Sequence, residues 1–218
     1  MLRLKFEKLG NAVWISHLDL MRLFQRGFKR AGLSLTHTQG YNPRPSVSIA
    51  LPLSVGAESC CELLDFQLEG EAILCEQIRD KLNQGLVEGV KVLEVYEGGR
   101  KLKDLAYLNC QLMLFYDCEI PEGAEKRLQA LFTQDRLPVM RKSKNGPQEQ
   151  DMIPMIRSVT VCRGEGALVI DCCICCQNPS LNPMQFVAAI ECYLPELQPD
   201  QVLCKRLSLL DHNFEEFR

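Results

Sequence analysis

The sequence predicts an α+β protein that passes twice through the same order of strands and helices, with antiparallel sheets and helices on one face. Three observations carry that expectation. Short runs alternate apolar with polar residues, longer runs repeat apolar residues at three- and four-residue spacing, and Gly98-Gly99-Arg100-Lys101 interrupts the pattern before it begins again.

Leu2, Leu4 and Phe6 alternate with Arg3, Lys5 and Glu7, the pattern of a half-buried strand. Ser16, with Asp19 three residues on, resembles a capping box with a shorter carboxylate and opens a helix. Leu20, Phe24 and Phe28, with Met21 and Ala31 beside them, form its apolar stripe, and Gly32 is its expected C-terminal stop. Val47, Ile49 and Leu51 then alternate with Ser46, Ser48 and Ala50 as a second strand, which Pro52 ends before a turn at Gly56. Residues 59–68 read as a third strand, 71–83 as a helix and 90–96 as a fourth strand. The order β-α-β-β-α-β over residues 1–98 is that of a ferredoxin-like unit.

The second pass occupies residues 99–218. A strand is expected over 106–117 and a helix over 122–133, with Leu128, Leu131 and Phe132 apolar. A short strand at 137–142 leads into a polar loop at 143–150. Residues 155–163 and 167–176 form a hairpin around Gly164-Glu165-Gly166. Asn182 caps a helix with Pro183 at its first position, and 202–210 closes the unit. The chain therefore reads as tandem ferredoxin-like units, the second carrying an extra strand or extended loop.

Composition narrows the class. The 218 residues are 46% hydrophobic and 24% charged with a net charge of −3, which fits a soluble globular protein and excludes a disordered one. No apolar run approaches the roughly 18 residues that span a bilayer, and the alternating start lacks the apolar core of a signal peptide. The cytoplasm is the expected compartment, and no membrane partner is expected. The net charge conceals a pattern: residues 1–58 hold 8 basic and 3 acidic side chains, 59–98 hold 3 and 9, 99–163 hold 11 and 8, and 164–218 hold 3 and 8. Basic stretches gathered on one face attract a polyanion, whereas stretches that neutralise acidic neighbours across a sheet do not.

Three segments carry candidate chemistry. In the first helix, Arg22, Arg26, Lys29 and Arg30 fall opposite the apolar stripe, where like charges repel unless an anionic partner such as a phosphate backbone engages them. His17 at the helix start is a packing or capping group, or else a proton donor or phosphate contact. In Gln39-Gly40-Tyr41-Asn42-Pro43-Arg44-Pro45 the two prolines hold the chain extended, so Tyr41, Asn42 and Arg44 are presented in fixed geometry. The third segment is Arg141-Lys142-Ser143-Lys144-Asn145-Gly146, in which Arg141 and Lys144 suit phosphate contacts. Arg3 and Lys5 point away from the apolar side of the first strand, toward a sheet face expected to be basic and open. That face lacks the outward aromatics by which an RRM stacks bases.

Twelve cysteines include Cys172-Cys173-Ile174-Cys175-Cys176, which looks like two overlapping C-x-x-C pairs. On a strand these thiols divide between two faces instead of converging, so they read as small apolar core residues and no metal is expected. No P-loop, G-x-G-x-x-G, H-E-x-x-H or G-x-S-x-G is present, nor the C-x-x-x-C-x-x-C run that holds a radical-SAM iron–sulfur cluster.

The run Ile15-Ser16-His17-Leu18-Asp19-Leu20-Met21-Arg22, then Gln39-Gly40-Tyr41-Asn42-Pro43-Arg44-Pro45-Ser46, then Leu51-Pro52-Leu53 with Val55-Gly56, resembles a radical-SAM-linked family of uncharacterised bacterial proteins. Members resemble a domain found alone or fused to the C-terminal side of a radical SAM enzyme with a cobalamin-binding-type domain. Tyr41, where phenylalanine is common, and the Cys172–Cys176 cluster depart from it. The resemblance implies a radical SAM enzyme as partner, with the iron–sulfur cluster and S-adenosylmethionine on that partner and no cofactor in this chain. With the charge map, it leads to an expected accessory module that binds a structured RNA, tRNA or rRNA, and presents it to the enzyme. Two other readings stay open: a metal-independent RNA endonuclease using His17 and His37 as acid and base, and a protein-interaction subunit that docks through the 40–45 loop.

Overall fold

In the computed structural model, which describes residues 1–143 and 146–218, the alternating run at the start of the chain becomes strand β1 (Leu2–Lys8). It belongs to a unit of Met1–Leu102 with Arg218, and a second unit comprises Lys103–Phe217.

The first unit continues through α1 (His17–Arg30), β2 (Val47–Ile49), β3 (Ala57–Phe66), α2 (Cys75–Asn83) and β4 (Val90–Glu97). Its strands pair antiparallel in the order β4-β1-β3-β2. Helix α1 forms where the capping signals place it: the Ser16 hydroxyl accepts the Asp19 backbone N–H at 3.2 Å. At its other end Gly32 turns left-handed at φ +69, its N–H reaches Lys29 O, and the Leu33 N–H reaches Phe28 O. This is a Schellman stop, with Phe28 and Leu33 sharing the core beneath it. The apolar stripe of α1 packs ring on ring, Phe24 on Phe6 with centroids 4.7 Å apart and Phe28 on Phe66 at 4.8 Å. Ile78 and Leu82 of α2 and Val90, Val92 and Val95 of β4 complete that core. Helix α2 starts at Cys75, later than its apolar spacing suggests; its N-cap, Leu74, makes no side-chain capping bond, and Ile73 packs on the core without being helical. Asn83 ties its end to β4 through paired hydrogen bonds with the Val92 backbone, at 2.9 and 2.8 Å.

The second unit comprises β5 (Leu105–Phe115), α3 (Ala124–Phe132), β6 (Pro138–Ser143), β7 (Gly146–Asp151), β8 (Ile156–Arg163), β9 (Ala167–Cys175), α4 (Met184–Tyr193) and β10 (Gln201–Asp211). Four strands pair antiparallel in the order β10-β5-β9-β8. Its core joins Leu108, Leu112 and Leu114 of β5 to Leu128 and Phe132 of α3 and to Phe186 and Ile190 of α4, with the Phe132 and Phe186 rings 4.8 Å apart. Asn182 and Gln185 cap α4 reciprocally, through Asn182 Oδ1 with the Met184 N–H and Gln185 Oε1 with the Asn182 N–H.

The segment expected to be a polar loop after residue 142 is different. Gly146–Asp151 forms β7, antiparallel to β6, from Pro138 opposite Asp151 to Ser143 opposite Gly146. The sequence Gly-Pro-Gln-Glu-Gln-Asp has no β-formers; tertiary contacts hold it instead. Arg136 pairs with Glu149 at 3.0 Å, Asp151 Oδ1 accepts the Leu137 and Ile153 N–H groups, and the Tyr193 hydroxyl of α4 donates to Pro138 O.

Among the described residues the fold is thus mixed α/β, with four helices and mostly antiparallel strand pairing. No helix among them is long and apolar enough to cross a membrane.

Candidate functional site

The outward face of α1 is built by its own cap. The Ser16 hydroxyl that stops the first turn from fraying also donates to Asp19 Oδ2 at 2.7 Å, and Arg22 Nη1 donates to Asp19 Oδ1 at 2.9 Å. The Ser16 hydroxyl first, and then Arg22, hold the Asp19 carboxyl below the ordinary carboxylate range. Arg22, Arg26 and Arg30 follow at one-turn steps and line a groove of about 450 Å³ with Ile15, Asp19, Leu23 and Val87. Arg30 donates to Gly85 O, which fixes its head. Arg26, between them, makes no hydrogen bond or ion pair among the described residues. The groove therefore presents one engaged cation, one anchored cation and one uncommitted cation over an apolar floor.

Lys29 belongs elsewhere. It lines a second groove of about 450 Å³ with Gln25, Gly32, Leu33, Ser34, Leu35, His37, Pro45 and Glu69. This groove lies at the base of the proline-rich loop, which the structure shows to be the tip of a short ribbon. Thr38 N–H donates to Arg44 O at 2.8 Å, Arg44 N–H donates to Thr38 Oγ1 at 3.0 Å, and Ser46 N–H donates to Thr36 O at 2.7 Å. Pro45, which has no N–H to offer, sits opposite His37 in that ribbon. Thr36 and Glu69 bond across to Gln67 and Ser34, so the ribbon is rooted beside the end of β3. Gly40 at φ +139 turns the tip, and Tyr41 is 100% exposed there, with Asn42 and Arg44 exposed beside it.

The two histidines are set apart. His17 is the first residue of α1, with Nδ1 buried and unpartnered, whereas His37 shares its groove with Gln25, Lys29 and Gly32 at the other end of that helix. From position 17 to 29 a helix rises roughly 18 Å. Arg141 is exposed on β6 opposite Gln148, and Lys144 lies outside the described residues.

The basic sheet face expected from Arg3 and Lys5 is not open. Arg3 is 1% exposed and locked to Asp65, and Lys5 is only partly exposed. The cysteine run behaves as a strand. Cys172, Cys173 and Cys175 are buried, and Cys172 lies directly opposite Cys110 on β5 with sulfurs 3.3 Å apart. One cluster was not legible: Tyr107 on β5 stacks on Phe214 beyond β10, beside Arg157. The turn residues Asp211 and Asn213 are the one local signal that marks it.

These features define a mixed α/β protein whose chemistry-bearing side chains are surface cations and a projecting aromatic ribbon. Residues 1–183 match the model of a family described as an uncharacterised protein conserved in bacteria (DUF2344), and the chain belongs to that family. No curated protein matches the chain.

Proposed function

We propose that this protein is an accessory module that binds a structured RNA, tRNA or rRNA, and presents it to a radical SAM enzyme in the cytoplasm. The observation that carries the RNA half is the arginine groove on α1. Three guanidiniums at one-turn steps form a row that suits a phosphate backbone, and Arg26, with no hydrogen bond or ion pair among the described residues, is the one of the three left for such a partner. The ribbon tip adds Tyr41, Asn42 and Arg44 as readers of a local feature, since bases in loops and bulges are recognised by aromatic and polar side chains. The radical SAM half rests on the motif resemblance; the cluster and S-adenosylmethionine belong to the partner. In this reading each unit is ferredoxin-like with its helices on one face, which the strand orders β4-β1-β3-β2 and β10-β5-β9-β8 support.

A salt titration of RNA binding by the purified protein tests this reading. Affinity should fall linearly in log–log form, by about 0.7–0.9 per phosphate engaged. Absence of binding at low ionic strength overturns it.

A docking role for the same module has its own support. Trp14, the single tryptophan, is 71% exposed, and Leu18 and Val55 are exposed as well. Apolar side chains in solvent suit a protein partner. Co-purification of the radical SAM enzyme that survives nuclease and high salt, but not Trp14→Ala, would assign these side chains to the enzyme. The endonuclease reading has no comparable support, because one phosphodiester cannot reach acid and base at opposite ends of α1.

A further inference from the structure

The turn that follows β10 holds an aromatic ring in a costly conformation and leaves it half in solvent. Phe214 has φ +62, in the left-handed region that a bulky side chain rarely adopts. Asp211 keeps it there: its carbonyl accepts the Phe214 N–H at 3.1 Å, and its Oδ1 accepts the N–H groups of Asn213 and Glu215 at 2.8 and 3.0 Å. The Phe214 ring lies parallel to that of Tyr107, with centroids 4.6 Å apart and planes 6° apart.

Tyr107 is itself fixed on β5 between Leu210 of β10 and Cys175 of β9. The Arg157 guanidinium stands 5.4 Å from its ring centre and reaches Cys175 Sγ at 3.3 Å, and the His212 ring meets it edge-on at 6.3 Å. Phe214 is 53% exposed, so Tyr107 backs one face of the ring while the other has no ring or cation against it among the described residues. Backbone strain maintained around an exposed group marks a place where position matters more than local stability. A rigid ring with one free π-face loses little freedom when a second flat ring lies on it, and every nucleobase has such a face.

We infer that Phe214, backed by Tyr107, stacks on one unpaired nucleobase of the bound RNA, an inference that rests on the RNA-binding reading above. Glu215 and Glu216 follow the ring directly in sequence, so the site works through stacking and not through phosphate attraction. Its contribution is therefore insensitive to salt, unlike that of the arginine groove.

Two labelled blunt-ended RNA duplexes of annealed strands, one fully paired and one with a single bulged nucleotide, test this with the full chain. Phe214→Ala should weaken binding of the bulged duplex by about five- to 150-fold, the range of a lost base–aromatic stack. It should spare the paired duplex and leave the salt dependence unchanged, and Phe214→Trp should restore affinity. Combined with Trp14→Phe, Phe214→Trp also gives a protein with one tryptophan, whose fluorescence the bulged duplex should quench. Unchanged binding by Phe214→Ala, equal losses on both duplexes, or binding without quenching overturns the stacking site while the RNA reading stands. Failure of the unsubstituted protein to bind either duplex at low salt overturns both.

Discussion

The guanidinium of Arg3 closes on the carboxylate of Asp65 with two hydrogen bonds, Nε to Oδ1 at 2.6 Å and Nη2 to Oδ2 at 3.0 Å, across directly opposed positions of β1 and β3. Its third nitrogen donates to Arg100 O at 2.9 Å. Gly99, at φ +104, approaches so closely that a Cβ there would stand 3.0 Å from Arg3 Nη1. Burial works against the charged form of Arg3, and the Asp65 hydrogen bonds and charge outweigh it, leaving its pKa raised. A side chain that pattern alone assigns to an open basic face is thus a pin for the glycine-rich segment after β4.

Removing one partner leaves the other charge buried and uncompensated, which costs about 3–5 kcal/mol. Asp65→Ala should show a loss of that order in urea unfolding, whereas Arg3→Met with Asp65→Leu should recover most of it. A single variant that loses under about 1 kcal/mol would mean that water reaches the pair.

The three groove arginines should differ in their effect on RNA binding. Arg26→Ala should lower the salt slope by about 1 and leave unfolding stability within about 0.5 kcal/mol, because Arg26 makes no hydrogen bond or ion pair among the described residues. Arg22→Ala should cost less affinity, since Asp19 already shares its charge. Asp19→Asn should tighten binding by removing the one anion from the groove, at a small loss of helix stability. The pH dependence has a definite sign. Asp19 is lowered in the folded state, so its contribution is present above the unfolded carboxylate pKa of roughly 3.9 and is lost as pH falls through the lower folded value. Thermal melts at decreasing pH should show an acid limb that Asp19→Asn flattens.

The thiols give an alkaline counterpart. Burial pushes Cys176 and Cys204 up to about 12, and Cys110 is pushed up by its hydrogen bond to Cys172 and then by burial. Such groups ionise first in the unfolded chain. Their stabilising share is full below the unfolded thiol pKa of roughly 8.5 and declines as pH rises toward the folded values, by up to about tenfold in the unfolding equilibrium per thiol per pH unit. Melting temperature should therefore drop between roughly pH 9 and 11, and less steeply in Cys204→Val. With a thiol reagent at neutral pH, exposed Cys118, Cys162 and Cys192 should react at once, and Cys110, Cys172, Cys173, Cys175 and Cys204 only on unfolding. Rapid labelling of Cys110 in the folded protein would contradict the packing reading.

How far the sequence discloses this structure depends on whether the deciding forces are local. Helix α1 is legible throughout because its cap, its stripe and its Gly32 stop are all encoded within eighteen residues, 16–33. Strand β7 is not, since its polar residues Glu149 and Asp151 are held by Arg136 and Leu137, while the α4 side chain Tyr193 fixes its partner strand β6 at Pro138. The burial of Arg3 depends on Asp65, sixty-two positions away, and on a glycine that pattern marks only as a break. Of the candidate site, the arginine row follows from helical spacing, but its parting from Lys29 follows from where residues 33–37 return along α1. Phe214 escapes because stacking on Tyr107 joins positions 107 and 214, and no periodicity connects them.

The projecting ribbon separates recognition from folding most cleanly. Tyr41 touches solvent on every side, so Tyr41→Ala removes a ring that contributes nothing to the core and should leave the melting temperature unchanged to within about 2 °C. Gly40 complements it: a Cβ there meets no atom within 4 Å, yet φ +139 is a conformation that side chains rarely adopt. Gly40→Ala therefore changes the path of the tip without a clash, and Tyr41→Ala changes its chemistry without altering the path. If Tyr41, Asn42 and Arg44 act as a set in fixed geometry, both variants should weaken RNA binding severalfold with the salt slope unchanged. If only the ring matters, Gly40→Ala should bind nearly as the unsubstituted protein does. A melting temperature lowered by more than about 5 °C in Tyr41→Ala would instead make the ribbon a structural staple between α1 and β2.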